Sequence, residues 1–214
     1  MLKLMDNIAG APERWLGDPR PLVEQIGSPG GIATLDEMSA ALQARPVNSL
    51  PALRRFLHSY QARVLVPVEL PAVHRAFEFA NHNQLRELIA FDQELAREPL
   101  LQQFAAASQQ VGRTQLRRFK PMRDHRFGQR YLQAVEQRRA HGWHTLVYGI
   151  TLAVFALPLR QGLLNYALQT TGGFVDSAAR SLQLSGEDCR ALVEELSTTL
   201  PQATAALLKA PRLA

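Results

Sequence analysis

The chain of 214 residues is 46% hydrophobic and 20% charged, a composition that fills the core of one domain and excludes an intrinsically disordered chain. A single cysteine, Cys189, excludes an intrachain disulfide and a zinc ribbon, and without a recognisable targeting segment a cytoplasmic setting is expected. The net charge of +5 is concentrated: residues 113–139 hold nine Lys or Arg against Asp124 and Glu136, a local +7 that leaves −2 for the remainder.

Residues 1–33 carry four prolines and five glycines, which predicts a loose lead-in to an all-helical domain over 34–214. Thr34 followed by Glu37 is a capping-box pattern, so a helix should start there and stop before Pro46. Ser49 is placed to cap the next helix. There Leu53, Phe56, Leu57, Tyr60 and Val64 fall at the spacing of one buried helical face. The two prolines of VPVELP (residues 66–71) then predict a break. Val73, Ala76, Phe77 and Ala80 repeat the stripe, and Asn81-His82-Asn83 should end that helix. Leu85, Leu88, Ile89, Leu95 and Ala96 mark another, and Pro99 suits the first turn of a helix reaching about Phe119.

The basic segment predicts one further helix, followed by the uncharged run Thr145 to Leu159. Crossing a bilayer needs roughly 20 apolar residues. Here Trp143 to Leu159 is bounded by His141, His144 and Arg160, so a buried helix is the better account. Ser185 should cap a last helix with Cys189, Leu192, Val193, Leu196 and Leu200 on one face. Strand alternation appears nowhere. The expected fold is all-α: a single-domain antiparallel bundle of about eight to ten helices.

The sequence offers no phosphate-binding Gly-rich loop, no Gly-x-Ser-x-Gly and no Cys-x-x-Cys. Cys189 lies on an apolar stripe and reads as a small core hydrophobe, while Asp92 and Glu94, two apart on a helix, face different ways. His141 and His144 could place two imidazoles on one helical face, but a stable metal site needs more ligands than the neighbourhood supplies. The plainer reading ends one helix at His141 and starts the next at His144. No catalytic residue is expected, and no cofactor. The basic segment, with Arg113, Arg117, Arg118, Arg126 and Arg130, is either a solvated face or a docking surface for an acidic partner. Nucleic-acid binding is the rival function, set behind protein docking because no reading module accompanies the arginines.

Taken in order, several segments resemble the urease accessory protein UreF family. Ser108, Gly112 and Arg113 match a Ser-x-x-x-Gly-Arg element, His144 and Gly149 a His-then-Gly helix, and Leu157-Pro158 a short turn into a long helix. Ser177 and Ala178, with Leu182 and Gly186, match a Ser-Ala helix and the turn after it. The resemblance covers about residues 50 to 205. Two elements depart from it: only Pro29, Gly30 and Gly31 of an N-terminal motif fit, and Leu184-Ser185-Gly186-Glu187 stands where the family has Pro-Leu-Gly-Gln. A shortened C-terminal tail after Pro211 is also expected. The resemblance implies a non-catalytic, commonly dimeric scaffold acting with UreD and the GTPase UreG in nickel delivery to apo-urease. Nickel would then be handled by the complex.

Overall fold

The computed structural model describes residues 47–102, 105–120 and 125–209, and these form an all-helical bundle. The lead-in at 1–33 and the helix expected between Thr34 and Pro46 lie outside the described residues. In chain order come α1 (Leu50–Tyr60), a π-helical stretch (Gln61–Glu69), α2 (Leu70–Asn81), α3 (Leu85–Leu95), the single turn α4 (Pro99–Gln102) and α5 (Ala105–Arg117). After these follow α6 (Arg126–Glu136), α7 (His144–Val154), α8 (Leu159–Ser181), α9 (Gly186–Ser197) and α10 (Leu200–Lys209).

The stripe on α1 is buried as its spacing requires: Leu53, Phe56, Leu57, Tyr60 and Val64 are each at most 2% exposed. Ser49 holds the N-cap position with extended dihedrals, but its hydroxyl makes no capping bond. The break expected at VPVELP does not occur. Pro67 cannot donate a backbone hydrogen bond, and its ring crowds the carbonyl four residues back. The chain widens instead into a π-helix, in which the Leu70 amide bonds the Leu65 carbonyl five residues earlier. Two separate stripes therefore belong to one unbroken rod, and Pro71 sits in the first turn of α2.

α7 is the centre of the bundle. Every residue from His144 to Leu152 is buried, so the first half of the apolar run is enclosed by its own chain, while residues 153–159 are partly buried or exposed. It packs most extensively on α2, with α5 and α6 to one side and α8 beyond it; α8 in turn carries α1, α9 and α10. The tight α2–α7 crossing depends on Gly149. A Cβ there would overlap the Val73 carbonyl oxygen and come within 2.9 Å of the Ala76 Cβ.

The helix predicted from Pro99 to about Phe119 is described on either side of residues 103–104, which lie outside the described residues, as α4 and α5. The further helix expected in the basic segment is α6, and residues 113–117 end α5, which turns at 118–120 with the buried ring of Phe119 against Gly128; residues 121–124 lie outside the described residues. At the far end Ser185 and Asp188 form a reciprocal capping box, and Cys189, Leu192 and Leu196 are buried as expected, but the helix ends at Ser197 and is not the last: Leu200, expected on its face, is buried at the start of α10. Among the described residues no helix is long and apolar enough to cross a membrane.

Candidate functional site

Asp92 sits in α3 one turn after Leu88 and three residues before Leu95, on the apolar stripe, and is 0% exposed. A carboxylate removed from water needs hydrogen bonds to offset its lost hydration. It has three. The backbone amides of His141 and Gly142 donate to it at 2.6 and 3.0 Å, and the Tyr131 hydroxyl of α6 at 2.6 Å. Burial first, and the Asp92 charge second, hold the Tyr131 phenol well above its ordinary pKa, so it remains a donor. The loop between α6 and α7 can meet the carboxylate because Gly142 adopts φ +78°, where a side chain is disfavoured.

The same loop is held from the other side by α5. Ser108 and Gly112 are four residues apart and therefore share a face. The Ser108 hydroxyl accepts from the His144 amide at 3.1 Å, and a Cβ on Gly112 would overlap the Gly142 carbonyl and lie 3.0 Å from the His144 nitrogen. Arg113 donates from Nε to the His141 carbonyl at 3.4 Å while its side chain stays exposed. The structure thus brings together Ser108, Gly112, Arg113 and His144, which the sequence presents as separate motif positions. Gly149 serves the α2 crossing instead, Ser177 and Ala178 are buried in α8, and Gly186 is exposed at the start of α9 with open space around it.

His144 is the first residue of α7, and its ring points into the core. Nδ1 lies 3.2 Å from the Gln115 amide oxygen, and the ring rests against Tyr148 and Tyr166 at 6.0 and 5.8 Å between centroids. Burial lowers its pKa from 6.5 to about 4, so the imidazole is neutral. Beyond Tyr166 is Glu69, at the end of the π-helical stretch, which accepts from the Tyr60 hydroxyl at 2.7 Å and also bonds Tyr166. Burial raises this carboxyl from 4.5 to about 7, against the opposing effect of the two phenols. His141 lies in the preceding loop, half-buried near Trp143, and does not share a helical face with His144. Among the described residues no three metal-ligating side chains come together.

Above this clamped loop lies the basic face. Arg113, Arg117 and Arg118 project from the end of α5 and its turn, Arg126 and Arg130 from α6, and all five are exposed. Lys120 pairs with Glu136 at 2.8 Å, and Arg130 reaches Asn83 at 3.5 Å. The turn is anchored by Phe119, whose ring lies 6.3 Å from both His125 and Phe155. In the sequence Asp92 reads only as one half of a pair with Glu94; its role in holding the loop was signalled by a lone acid on an apolar stripe.

These features define a class: an all-α bundle whose buried polar groups hold helices and a loop in register, and whose strongest charge lies on an exposed surface. The family model described as UreF matches residues 47–197, and the chain belongs to the UreF family. It is 23% identical over 188 residues to the urease accessory protein UreF of Actinobacillus pleuropneumoniae, spanning 88% of this chain and 83% of that protein. The urease accessory protein UreF of A. pleuropneumoniae serotype 5b (strain L20) is 22% identical over the same length.

Proposed function

We propose that this chain is a non-catalytic scaffold in nickel incorporation into apo-urease, acting in the cytoplasm with UreD and the GTPase UreG, and that its basic face docks one of them. Membership of the UreF family supports the setting. The observation that carries the docking role is the exposure of Arg113, Arg117, Arg118, Arg126 and Arg130 on and beside α5, which packs on the Asp92-held loop, and on α6, from which that loop leads. Cations fixed on a rigid frame steer an acidic partner and set its orientation more than they add affinity. A homodimer belongs to the same reading. Its surface cannot be α7, which is enclosed, and the half-buried Leu164 and Leu168 of α8 are the apolar candidates.

The test is titration of the protein with purified UreD and UreG at low and high salt. Changing Arg117, Arg118 and Arg126 to Glu should slow association and weaken binding at low salt, with a smaller difference near 1 M salt, where the Debye length is about 3 Å. Unchanged binding by the folded triple variant would remove the docking role. Loss of retention on DNA instead, with a steep salt dependence in the unaltered protein, would show that the face serves nucleic acid.

A further inference from the structure

Five arginines share the basic face, and the frame holds one of them more closely than the rest. Arg113 donates from Nε to the His141 carbonyl at 3.4 Å and from Nη2 to the Gln109 side-chain oxygen at 3.2 Å. Its stem lies along the loop as well, with Cγ 3.5 Å from where a Cβ on Gly142 would stand. Both anchors are themselves placed. Gln109 is one helical turn before Arg113 on α5, and His141, which accepts from Nε, donates its own amide to the buried Asp92 at 2.6 Å. The carboxylate in the core thus reaches the surface guanidinium through a single residue.

A guanidinium carries its N–H donors in a planar fork, and these two bonds use only part of it. The rest of the fork, on an exposed side chain, meets no acceptor among the described residues. Fixing a long side chain in advance removes entropy that binding would otherwise cost, and a fork of fixed orientation recognises a planar carboxylate through two parallel bonds. Arg117, Arg118 and Arg126 make no side-chain hydrogen bond or ion pair among the described residues, and Arg130 has its 3.5 Å reach to Asn83. These four supply the field; Arg113 supplies direction.

We infer that Arg113 is the orienting contact of the basic face, a specificity-determining residue that takes one side-chain carboxylate of an acidic partner protein in a bidentate bond, while the other arginines steer the encounter. This rests on the docking role proposed for that face. A phosphate backbone would be held by any of the arginines without need of a fixed one. Of the aromatic rings in the segment, Phe119 and Tyr131 are buried and Phe127 packs on the core, so no stacking surface for bases accompanies the cations. The chain outside residues 113–139 sums to only −2, so a second copy carries little charge for a local +7 to steer.

The experiment follows association and dissociation of the full chain with purified UreD and with purified UreG at low and high salt, for the wild type, Arg113→Lys and the reversal of Arg117, Arg118 and Arg126 to Glu. Lysine keeps the charge and loses the fork. For the partner whose association the reversal slows, Arg113→Lys should leave the association rate within about twofold of wild type and raise the dissociation rate about tenfold at both salt concentrations. Amide exchange at His141 and Gly142 should stay as in the wild type, since Asp92 holds both. An unchanged dissociation rate overturns the inference and leaves the docking role standing. So does faster dissociation accompanied by faster exchange at those two amides, which would make Arg113 a brace for the loop alone. If Arg113→Lys changes the size of the free protein, or its retention on DNA, and not the complex, the contact belongs to a second copy or to phosphate and the inference is overturned. If the reversal slows association with neither partner, the docking role and this inference fall together.

Discussion

Three side chains concentrate the polar chemistry of the core: Asp92 through its hydrogen bonds, Glu69 and His144 through shifted pKa values. Asp92 satisfies two backbone amides and a phenol at once, so Asp92→Ala removes the acceptor of two buried donors, Tyr131 and Gly142, and of the part-buried His141 amide. It should cost about 3 kcal/mol or more in a urea titration, whereas an exposed acid such as Glu94 should cost little. Glu69 and His144 make opposite contributions to pH dependence. The Glu69 carboxyl, raised to about 7, keeps its proton in the folded state where the unfolded chain has lost it, so its contribution falls as pH rises from about 4.5 to 7. The His144 ring, lowered to about 4, does the reverse: its contribution is lost as pH falls from about 6.5 to 4. Over the shared window the two oppose each other. Glu69→Gln should therefore expose the His144 slope, with stability relative to wild type rising by about 1 kcal/mol per pH unit between about 4.5 and 7. Denaturation midpoints of the two proteins across pH 4 to 8 test this, and parallel curves would contradict it.

At the scale of elements, what the sequence made legible was what burial dictates. The stripes on α1, α3 and α9 were readable because a 3.6-residue period has one physical cause, and Leu53, Leu88 and Leu192 are all fully buried. The π-helical stretch was not readable, since Pro67 signals a break by local rules and only the packing of Val64, Leu65 and Leu70 on the core keeps the rod continuous. Gly149 was noticed as a motif position, but its reason, the approach of Val73 and Ala76, is tertiary. Gly149→Ala should force α2 and α7 apart and destabilise by about 1–3 kcal/mol, measured by thermal or urea unfolding. An unchanged midpoint would mean that the crossing is looser than its geometry.

For the whole molecule, family and fold class were legible from the collinear order of diffuse motifs, and the structure explains why that order is informative. Ser108, Gly112 and Arg113 converge with His144 on one loop, so residues 28 or more positions apart are constrained by the same contacts. The surface that such a frame presents was visible only as a charge count, because spacing alone does not say which arginines share a face across two helices and a turn. The central claim is that this basic face docks a partner during urease maturation. Its most direct measurement is urease activity in cells that carry the Arg117→Glu, Arg118→Glu, Arg126→Glu variant in place of the wild type, at matched low expression and with the variant's helical content verified. Urease activity should fall while the amount of urease protein stays constant, and normal activation by the folded variant would contradict the claim.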